Sequence, residues 1–226
     1  MDVYTFYTDS HLELYQKLNK SVSLLCPSLN LITRKFDQEC LTGEYMSPGW
    51  GETMRKKVDL ILEAIDQGKI FIHSDCDVVY LQDPTEKVLE ELGDYDLAFQ
   101  SDFVPLKEVW YCMGFFVCRP SQRTRDLFVK VYENIGNFWG NDQLSLNNIL
   151  STYKNPSPGK GFEDLKYKTL SEKFFTYGQT GKSSIWDGEQ FDLPEDLVAF
   201  HANWTKGTQR KINLIDYVLT KKGIKL

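Results

Sequence analysis

The sequence predicts an α/β fold in which a mixed, mainly parallel sheet is flanked by helices. Short runs of β-branched and aromatic residues alternate along the chain with segments whose apolar residues recur every three or four positions. Strands and helices that alternate in this way form parallel units, whose ligands bind beyond the carboxyl ends of the strands. No low-complexity linker and no repeat of fixed period divides the chain, so we expect residues 1–226 to form a single domain.

The first half of the chain contains three predicted strands and three predicted helices. Ser10 and Glu13 have the spacing of a capping box, which places the start of the first helix at Ser10. Asp83 and Pro84 are typical of a helix start, with an acidic cap and a proline at the first helical position. The predicted strands cover residues 3–8, 29–33 and 69–73, and the predicted helices cover 10–25, 51–65 and a segment that begins at 83–84.

The second half continues the same alternation. Ser121 is a predicted helix cap, and a further helix opens near Asn141 and Asp142. Residues 154–161 are a dense cluster of turn formers, which predicts a surface loop. The predicted strands cover residues 95–100, 110–118, 165–170 and 197–200, and the predicted helices cover 121–135, a segment from about 141, and 210–220.

The composition is that of an ordinary globular protein. Of the 226 residues 42% are hydrophobic, and the formal net charge of −6 disfavours nucleic acid as a ligand, because binding of the phosphate backbone relies on lysine and arginine. The five cysteines are scattered without a C-x-x-C pair, which favours a reducing compartment over a disulfide framework or a zinc site. The sequence shows no signal peptide and no apolar run of transmembrane length, so we expect a soluble, cytoplasmic protein.

Two carboxylates, Asp75 and Asp77, are separated only by Cys76 and follow directly after a predicted strand. In a chain that leaves a strand, both carboxylates can turn toward one hard cation. Acidic pairs at the start of a loop are commonly solvated turn residues. Here an apolar run over residues 78–81 follows at once and holds the backbone in place, which favours a site for a divalent cation.

This arrangement resembles the core of the GT-A nucleotide-diphospho-sugar transferases. The resemblance extends from residue 4 to about residue 214 and implies a GT-A fold and an enzyme that transfers a sugar to an acceptor hydroxyl. The donor would be a nucleotide-diphosphate sugar, most commonly a UDP-sugar, and the nearest motif order is that of retaining enzymes. The residues that carry the resemblance are, in order, Lys57 in helix 51–65, strand 70–74, the triplet 75–77, Asp83-Pro84, Asp102, Gly114, Asn141-Asp142-Gln143, His201, Gly207 and Lys211.

The resemblance also implies a role for each of these positions. Asp75, Asp77 and His201 would hold Mn²⁺ or Mg²⁺ against the donor diphosphate. Asp102, Asp142 and Gln143 are the implied catalytic residues, which would position the donor sugar and stabilise positive charge at its anomeric carbon. Further implied contacts to the donor are Thr8, Asp9, Arg55, Lys57, Cys76, Gly114, Gly207 and Lys211, with Arg55 preferred over Lys57 as the phosphate ligand.

The acceptor implied by the family is a glycan or a glycoprotein. Compact members occur in bacteria and large DNA viruses, and this chain is expected to be of that kind. Residues 154–186 depart most from the family core, which predicts an acceptor-side surface there. The aromatic residues expected to form this surface are Phe174, Phe175, Tyr177 and Trp186. His11 and His73, which lie in the predicted capping box and within a predicted strand, are expected to be structural.

Three other functions are consistent with parts of the sequence. D-x-D-x-V is also the nucleophile motif of haloacid-dehalogenase-like phosphatases, although the acidic segment 93–96 follows too soon to complete their Mg²⁺ site. Sugar-nucleotide pyrophosphorylases share the GT-A-like fold but would need an N-terminal glycine-rich loop with arginine and lysine, and residues 3–9 contain none of these. A sugar-binding module would stack aromatic rings on pyranose faces without nucleotide or metal, and the tryptophans available for this are Trp50, Trp139, Trp186 and Trp204.

Overall fold

The computed structural model describes residues 1–102, 109–151, 164–182 and 185–226. Its helices are α1 (Leu12–Leu25), α2 (Trp50–Asp66), α3 (Thr85–Leu92), α4 (Gln122–Asn134), α5 (Asp142–Ser151) and α6 (Thr208–Lys221). Its strands are β1 (Asp2–Tyr7), β2 (Asn30–Lys35), β3 (Phe71–Ser74), β4 (Val78–Tyr80), β5 (Leu97–Ser101), β6 (Tyr111–Cys118), β7 (Tyr167–Thr169), β8 (Phe174–Thr176) and β9 (Ala199–His201).

The described strands form two sheets. The larger sheet has six strands in the order β2-β1-β3-β6-β5-β7, and the smaller has three in the order β4-β9-β8. Four of the seven pairings are parallel, namely β1 with β2, β1 with β3, β5 with β7 and β8 with β9. β6 runs antiparallel to both β3 and β5, and β4 runs antiparallel to β9. The predicted α/β fold with a mixed, mainly parallel sheet is therefore confirmed.

The core lies on both faces of the larger sheet. Side chains alternate along β6, so that Phe116 and Cys118 pack in one apolar cluster while Phe115 and Val117 pack in another. The first cluster is completed by α2, α4 and α5, and the second by α1, α3 and the smaller sheet. The smaller sheet has its own outer layer, because Val79 of β4 packs with apolar residues of α6. Each sheet is thus buried on both faces, which fixes the strand ends in place.

The capping box predicted at Ser10 is not formed. α1 begins after a 3₁₀ turn over Asp9–His11, and no side chain caps its first amides. The Ser10 hydroxyl lies 2.8 Å from Nδ1 of His11, and the Ser10 amide donates to Oε1 of Gln38 at 2.8 Å. Because both groups of Ser10 have other partners, Glu13 stays exposed.

Other local predictions have mixed outcomes. The capping box at Ser121 is formed with Thr124, whose amide donates to the Ser121 hydroxyl. Strand β8 was not predicted, and the loop predicted at residues 154–161 lies outside the described residues. All five cysteines are buried and none forms a disulfide. Among the helices in the described ranges, none has the length and apolarity needed to cross a membrane.

Candidate active site

Two strand junctions bring the predicted metal ligands together. Asp75 follows the last residue of β3, and its amide donates to the carbonyl of Gly114 in β6 at 2.7 Å. The antiparallel register of β4 and β9 pairs Val78 with His201, so the residue before β4, Asp77, lies beside the last residue of β9. The Ala202 amide donates to the Asp77 carbonyl at 3.0 Å, which extends this pairing.

Asp75, Asp77 and His201 form one cluster at this junction. One ligand atom from each residue lies within 4.8 Å of the other two. His201 Nε2 is 3.1 Å from Oδ1 of Asp77, and both side chains are buried, whereas that of Asp75 is 26% exposed. Two carboxylates and one imidazole are a donor set that suits Mn²⁺ or Mg²⁺. The residues present therefore fit the cation that the sequence predicts.

Two lysines balance the charge of the acidic pair. Lys57 Nζ lies 3.0 Å from Oδ1 of Asp75, and Lys211 Nζ lies 2.5 Å from Oδ2 of Asp77. Burial disfavours ionisation of Asp75, but Lys57 and His73 outweigh it and hold the pKa of Asp75 below its usual range. Burial acts on Asp77 in the same sense, and Lys211 and His201 hold its pKa well below the usual range. Both carboxylates are therefore ionised at neutral pH.

Gly114 leaves space for this cluster. A Cβ atom at position 114 would lie 2.3 Å from Cε1 of His201 and 2.8 Å from Oδ2 of Asp75. Distances below 3.0 Å do not occur at real Cβ atoms, so any other residue would displace one of the two ligands. The sulfur of Cys112 accepts a hydrogen bond from the Gly114 amide at 3.3 Å.

Asp102 and Gln143 lie next to each other in a second polar cluster. Gln143 Nε2 donates to Oδ2 of Asp102 at 2.5 Å, while its Oε1 accepts from the Met113 amide at 3.0 Å. Asn203 donates to the other oxygen of Asp102. Burial raises the pKa of Asp102 even though Gln143, His201, Trp204 and Asn203 all favour its ionised form. The three side chains that hydrogen-bond to Asp102, those of Gln143, Trp204 and Asn203, thus hold its carboxylate in a fixed orientation.

Asp142 connects the two clusters through Lys57. Lys57 Nζ is 3.0 Å from Oδ2 of Asp142 as well as 3.0 Å from Asp75, and its side chain is only 3% exposed. The Asp142 Oδ2 atom is buried and, among the described residues, has this ion pair but no partner with hydrogen-bond geometry.

Close packing of two helix starts puts Lys57 and Asp142 within reach of each other. A Cβ atom on Gly140 would lie 2.5 Å from Cα of Gly51, so the start of α2 and the residues before α5 meet backbone to backbone. Asn147 then joins α5 to β6, because its side chain accepts from the amide of Tyr111 at 2.9 Å and donates to the Tyr111 carbonyl at 2.8 Å.

A cavity adjoins the acidic pair. Of the predicted donor contacts, Thr8, Cys76 and Lys211 line it together with Asp75 and Asp77. The other lining residues were not predicted, and they are Phe6, Tyr7, His11, Gln38, Cys40, Gly43, Trp50, Thr53 and Met54. Most of them lie at the end of β1, in the segment that follows β2, and at the start of α2. The amphipathic pattern of helix 51–65 is a signal for the last group, because it places Met54 on the buried face.

Three predicted donor contacts lie outside the cluster. Asp9 pairs with Lys35 at 2.7 Å on the surface, and Arg55 pairs with Glu52 at 2.6 Å. The preference for Arg55 over Lys57 is therefore not matched by their placement, since Lys57 pairs with Asp75 of the cluster and with Asp142. Gly207, with a φ of 91°, is the residue before α6, which carries Lys211.

The predicted acceptor-side surface is wrong for the aromatic residues on which it depends. Phe174 and Tyr177 are at most 1% exposed and Trp186 is 7% exposed, because all three pack into apolar clusters. Phe175 is half-buried against the same layer. Residues 154–163 of that segment lie outside the described residues.

Three solved structures are similar to the chain along most of its length. The galactosyltransferase LgtC, in complex with donor and acceptor sugar analogues, has a TM-score of 0.56 at 14% identity, covering 96% of each chain. A glycosyltransferase that takes part in glycosylation of the major capsid of PBCV-1 has a TM-score of 0.60 at 12% identity, covering 96% of this chain and 98% of the other. The bifunctional glycosyltransferase WbbM has a TM-score of 0.57 at 13% identity, covering 95% of this chain and 49% of the other.

These likenesses confirm the GT-A fold. No curated protein sequence matches the chain significantly. The profile of one family, however, matches residues 14–215, which include every residue of the two polar clusters. The chain therefore belongs to the family of nucleotide-diphospho-sugar transferases.

Proposed function

We propose that the protein is a divalent-metal-dependent, retaining glycosyltransferase that uses a UDP-sugar and modifies a glycan or glycoprotein. The observation that carries the proposal is the junction of Asp75, Asp77 and His201 beside a cavity that both aspartates line. Membership of the transferase family makes the phosphatase, pyrophosphorylase and sugar-binding alternatives unnecessary. The five buried thiols, none of them paired, support a reducing compartment such as the cytoplasm.

In this proposal the donor diphosphate binds at the acidic pair. A cation held by Asp75, Asp77 and His201 would supply positive charge to the departing diphosphate. Lys211 lies 2.5 Å from Asp77 and lines the cavity, so its ammonium group is placed to bind the same phosphates. Thr8, at the end of β1, lies on the wall of the cavity where the nucleoside would extend.

The donor sugar is assigned to the second polar cluster. Asp142 precedes Gln143 in the first turn of α5, and Gln143 is held between Met113 and Asp102 so that its amide has one orientation. The relative LgtC also has a glutamine in its active site, since its variant with glutamate at that position is named an active-site mutant. This supports the assignment of Gln143 to the active site.

Retention is supported by how the nearest acids are held. A general base for inversion must be able to take a proton from the acceptor hydroxyl. Both oxygens of Asp102 already accept side-chain hydrogen bonds, and Asp142 is paired with Lys57. Transfer from the same face of the sugar, with the departing diphosphate as proton acceptor, needs neither carboxylate as base.

Trp204 is the aromatic side chain that we propose for the acceptor. Its indole is 43% exposed and hydrogen-bonds to Asp102, beside the proposed donor-sugar site. The residue has a φ of 61°, and its ring lies so close to Gly178 that a Cβ atom there would be 2.6 Å from Cδ1 of Trp204. A ring held this firmly is a suitable platform for the apolar face of a sugar.

The proposal is tested by incubating the protein with a panel of UDP- and GDP-sugars and Mn²⁺, and measuring release of the nucleoside diphosphate. We expect release from a UDP-sugar that stops when the metal is chelated, and a product whose NMR spectrum shows the anomeric configuration of the donor. Release that persists in a chelator contradicts the metal dependence. A product of inverted configuration contradicts retention.

A further inference from the structure

Gln100 is a fully buried amide that joins the two sheets behind the proposed metal site. It lies in β5, and its Nε2 donates to the carbonyl of Phe175 in β8 at 3.1 Å. Its Oε1 lies 3.0 Å from Nδ1 of His201, the last residue of β9. Neither the sequence motifs nor the family resemblance assigns a role to this glutamine.

The contact with Phe175 fixes the orientation of the Gln100 amide. A backbone carbonyl only accepts hydrogen bonds, so the NH₂ group of Gln100 has to face Phe175 and its oxygen has to face His201. That oxygen is also only an acceptor, so Nδ1 of His201 carries the proton and donates it to Gln100. The sulfur of Cys112, 3.6 Å from the same Nδ1, is a longer and weaker contact.

A proton on Nδ1 determines the state of Nε2, the other nitrogen of the His201 ring. In the neutral imidazole with a proton on Nδ1, Nε2 carries the lone pair, and it points toward Oδ1 of Asp77 at 3.1 Å. Two acceptor atoms at this distance repel each other unless a proton or a cation lies between them. His201 is therefore in the tautomer whose Nε2 lone pair can bind a metal ion.

We propose that Gln100 is a positioning residue that holds His201 in the Nδ1-protonated tautomer and in the ring orientation needed for the cation. This inference rests on the proposed metal site. Hydrogen-bond partners behind a metal-binding histidine commonly change metal affinity by about 10- to 100-fold when they are removed.

The test uses Gln100→Met, which keeps the length of the side chain and removes the strong acceptor, and Gln100→Leu as a second apolar replacement. Thr176→Val is the control for loss of a side-chain hydrogen bond between the same two strands. The Thr176 hydroxyl donates to the Ser101 carbonyl at 3.3 Å and accepts from the Gln179 amide at 3.2 Å, and the residue pairs with His201 in the register of β8 and β9. Thermal unfolding selects the variants that fold. The two readouts are the ¹⁵N chemical shifts of the His201 ring in metal-free protein and the Kd for Mn²⁺ by calorimetry.

We expect the wild type and Thr176→Val to show a protonated Nδ1 and similar affinity for Mn²⁺. In the Gln100 variants we expect a mixture of tautomers and a Kd raised about 10- to 100-fold. An unchanged tautomer and unchanged Kd in folded Gln100 variants would overturn the inference while leaving the metal site standing. Failure of the wild type to bind Mn²⁺ would instead overturn the metal site itself, and this inference with it.

Discussion

At the scale of single residues, Gly114 has little freedom to change. A methyl group there would overlap both His201 and Asp75, which come from different parts of the chain and meet over this one Cα atom. The glycine is needed for space and not for an unusual backbone conformation, since its φ lies outside the left-handed region.

Gly114→Ala is therefore expected to weaken Mn²⁺ binding at least about tenfold and to destabilise the fold by about 1–3 kcal/mol, the usual cost of overpacking. Gly136→Ala is the control, because a Cβ atom there would meet only the flexible end of Arg55, at 3.3 Å. Calorimetry with Mn²⁺ and urea unfolding measure the two effects. Binding of Mn²⁺ that is equal in both variants would show that the crowding at Gly114 does not act on the ligands.

Trp204→Ala is expected to raise the KM for a saccharide acceptor about tenfold, a loss of about 1.4 kcal/mol, because the stacking surface is removed. Binding of UDP with Mn²⁺ should change less than twofold, and Trp204→Phe should keep most of the acceptor affinity. Trp139→Ala, in the segment between α4 and α5, replaces a tryptophan that is 74% exposed and serves as control. An unchanged acceptor KM in Trp204→Ala would contradict the acceptor assignment.

The helical period distinguishes Lys57 from Arg55 as the cation on the buried face of α2. At 100° per residue, position 57 lies close to the direction of Met54 and Ile61, on the apolar face of α2, whereas position 55 points away. The helical period therefore contained the information that Lys57 is the buried cation. The preference for Arg55 instead selected the residue whose side chain is 33% exposed, against 3% for Lys57.

At the scale of elements, Asp83 secures the start of α3 against the segment before β2. Its Oδ2 accepts from the amide of Ser28 at 3.0 Å and from the Ser28 hydroxyl at 2.5 Å, and its Oδ1 accepts from the Thr85 amide at 3.0 Å. Burial opposes ionisation, but these donors outweigh it and lower the pKa of Asp83 to about 2. Asp83 thus binds the first amide of α3, although Pro84 occupies the N-cap position and not the first helical position that the sequence predicts.

Asp83→Asn is expected to lower the free energy of unfolding at pH 7 by about 1 kcal/mol, after allowance for solvent screening at this partly exposed site. The folded-state pKa lies below the unfolded value near 4, so the contribution of the carboxylate is complete above about pH 4 and is lost as the pH falls toward 2. Urea unfolding at pH 7 and pH 3 measures the difference. A gap between variant and wild type as wide at pH 3 as at pH 7 would refute this role.

Long elements were predicted with closer bounds than short ones, and the three-residue strands β4 and β8 were not predicted. α2 has an apolar stripe along 17 residues, and its predicted range differs from the observed one by a single residue at each end. β8 has only three residues, and its pairing with β9 in parallel cannot be predicted from the local sequence pattern. The cap at Ser10 failed for a similar reason, since its partner Gln38 is 28 positions away.

At the scale of the whole molecule, the candidate site is made by contacts between distant parts of the chain. The register of β4 with β9 joins residues 124 positions apart at Asp77 and His201. Periodicity predicted the acidic pair at a strand end, but only the family resemblance placed His201 and Lys211 beside it. Gln38 and Cys40 line the cavity from a loop that has no periodic sequence pattern. Their position at the cavity therefore follows only from the folded structure.

The most direct test of metal-dependent nucleotide binding at Asp75 and Asp77 is calorimetric titration with UDP in the presence and absence of Mn²⁺. The measurement compares the wild type, Asp75→Asn/Asp77→Asn, and the control Asp66→Asn/Asp216→Asn, which neutralises two exposed acids that pair with Arg125 and Lys17. We predict that UDP binds only with Mn²⁺, that the first double variant loses this binding, and that the control keeps it. UDP binding that needs no metal, or that survives in Asp75→Asn/Asp77→Asn, would contradict the central claim.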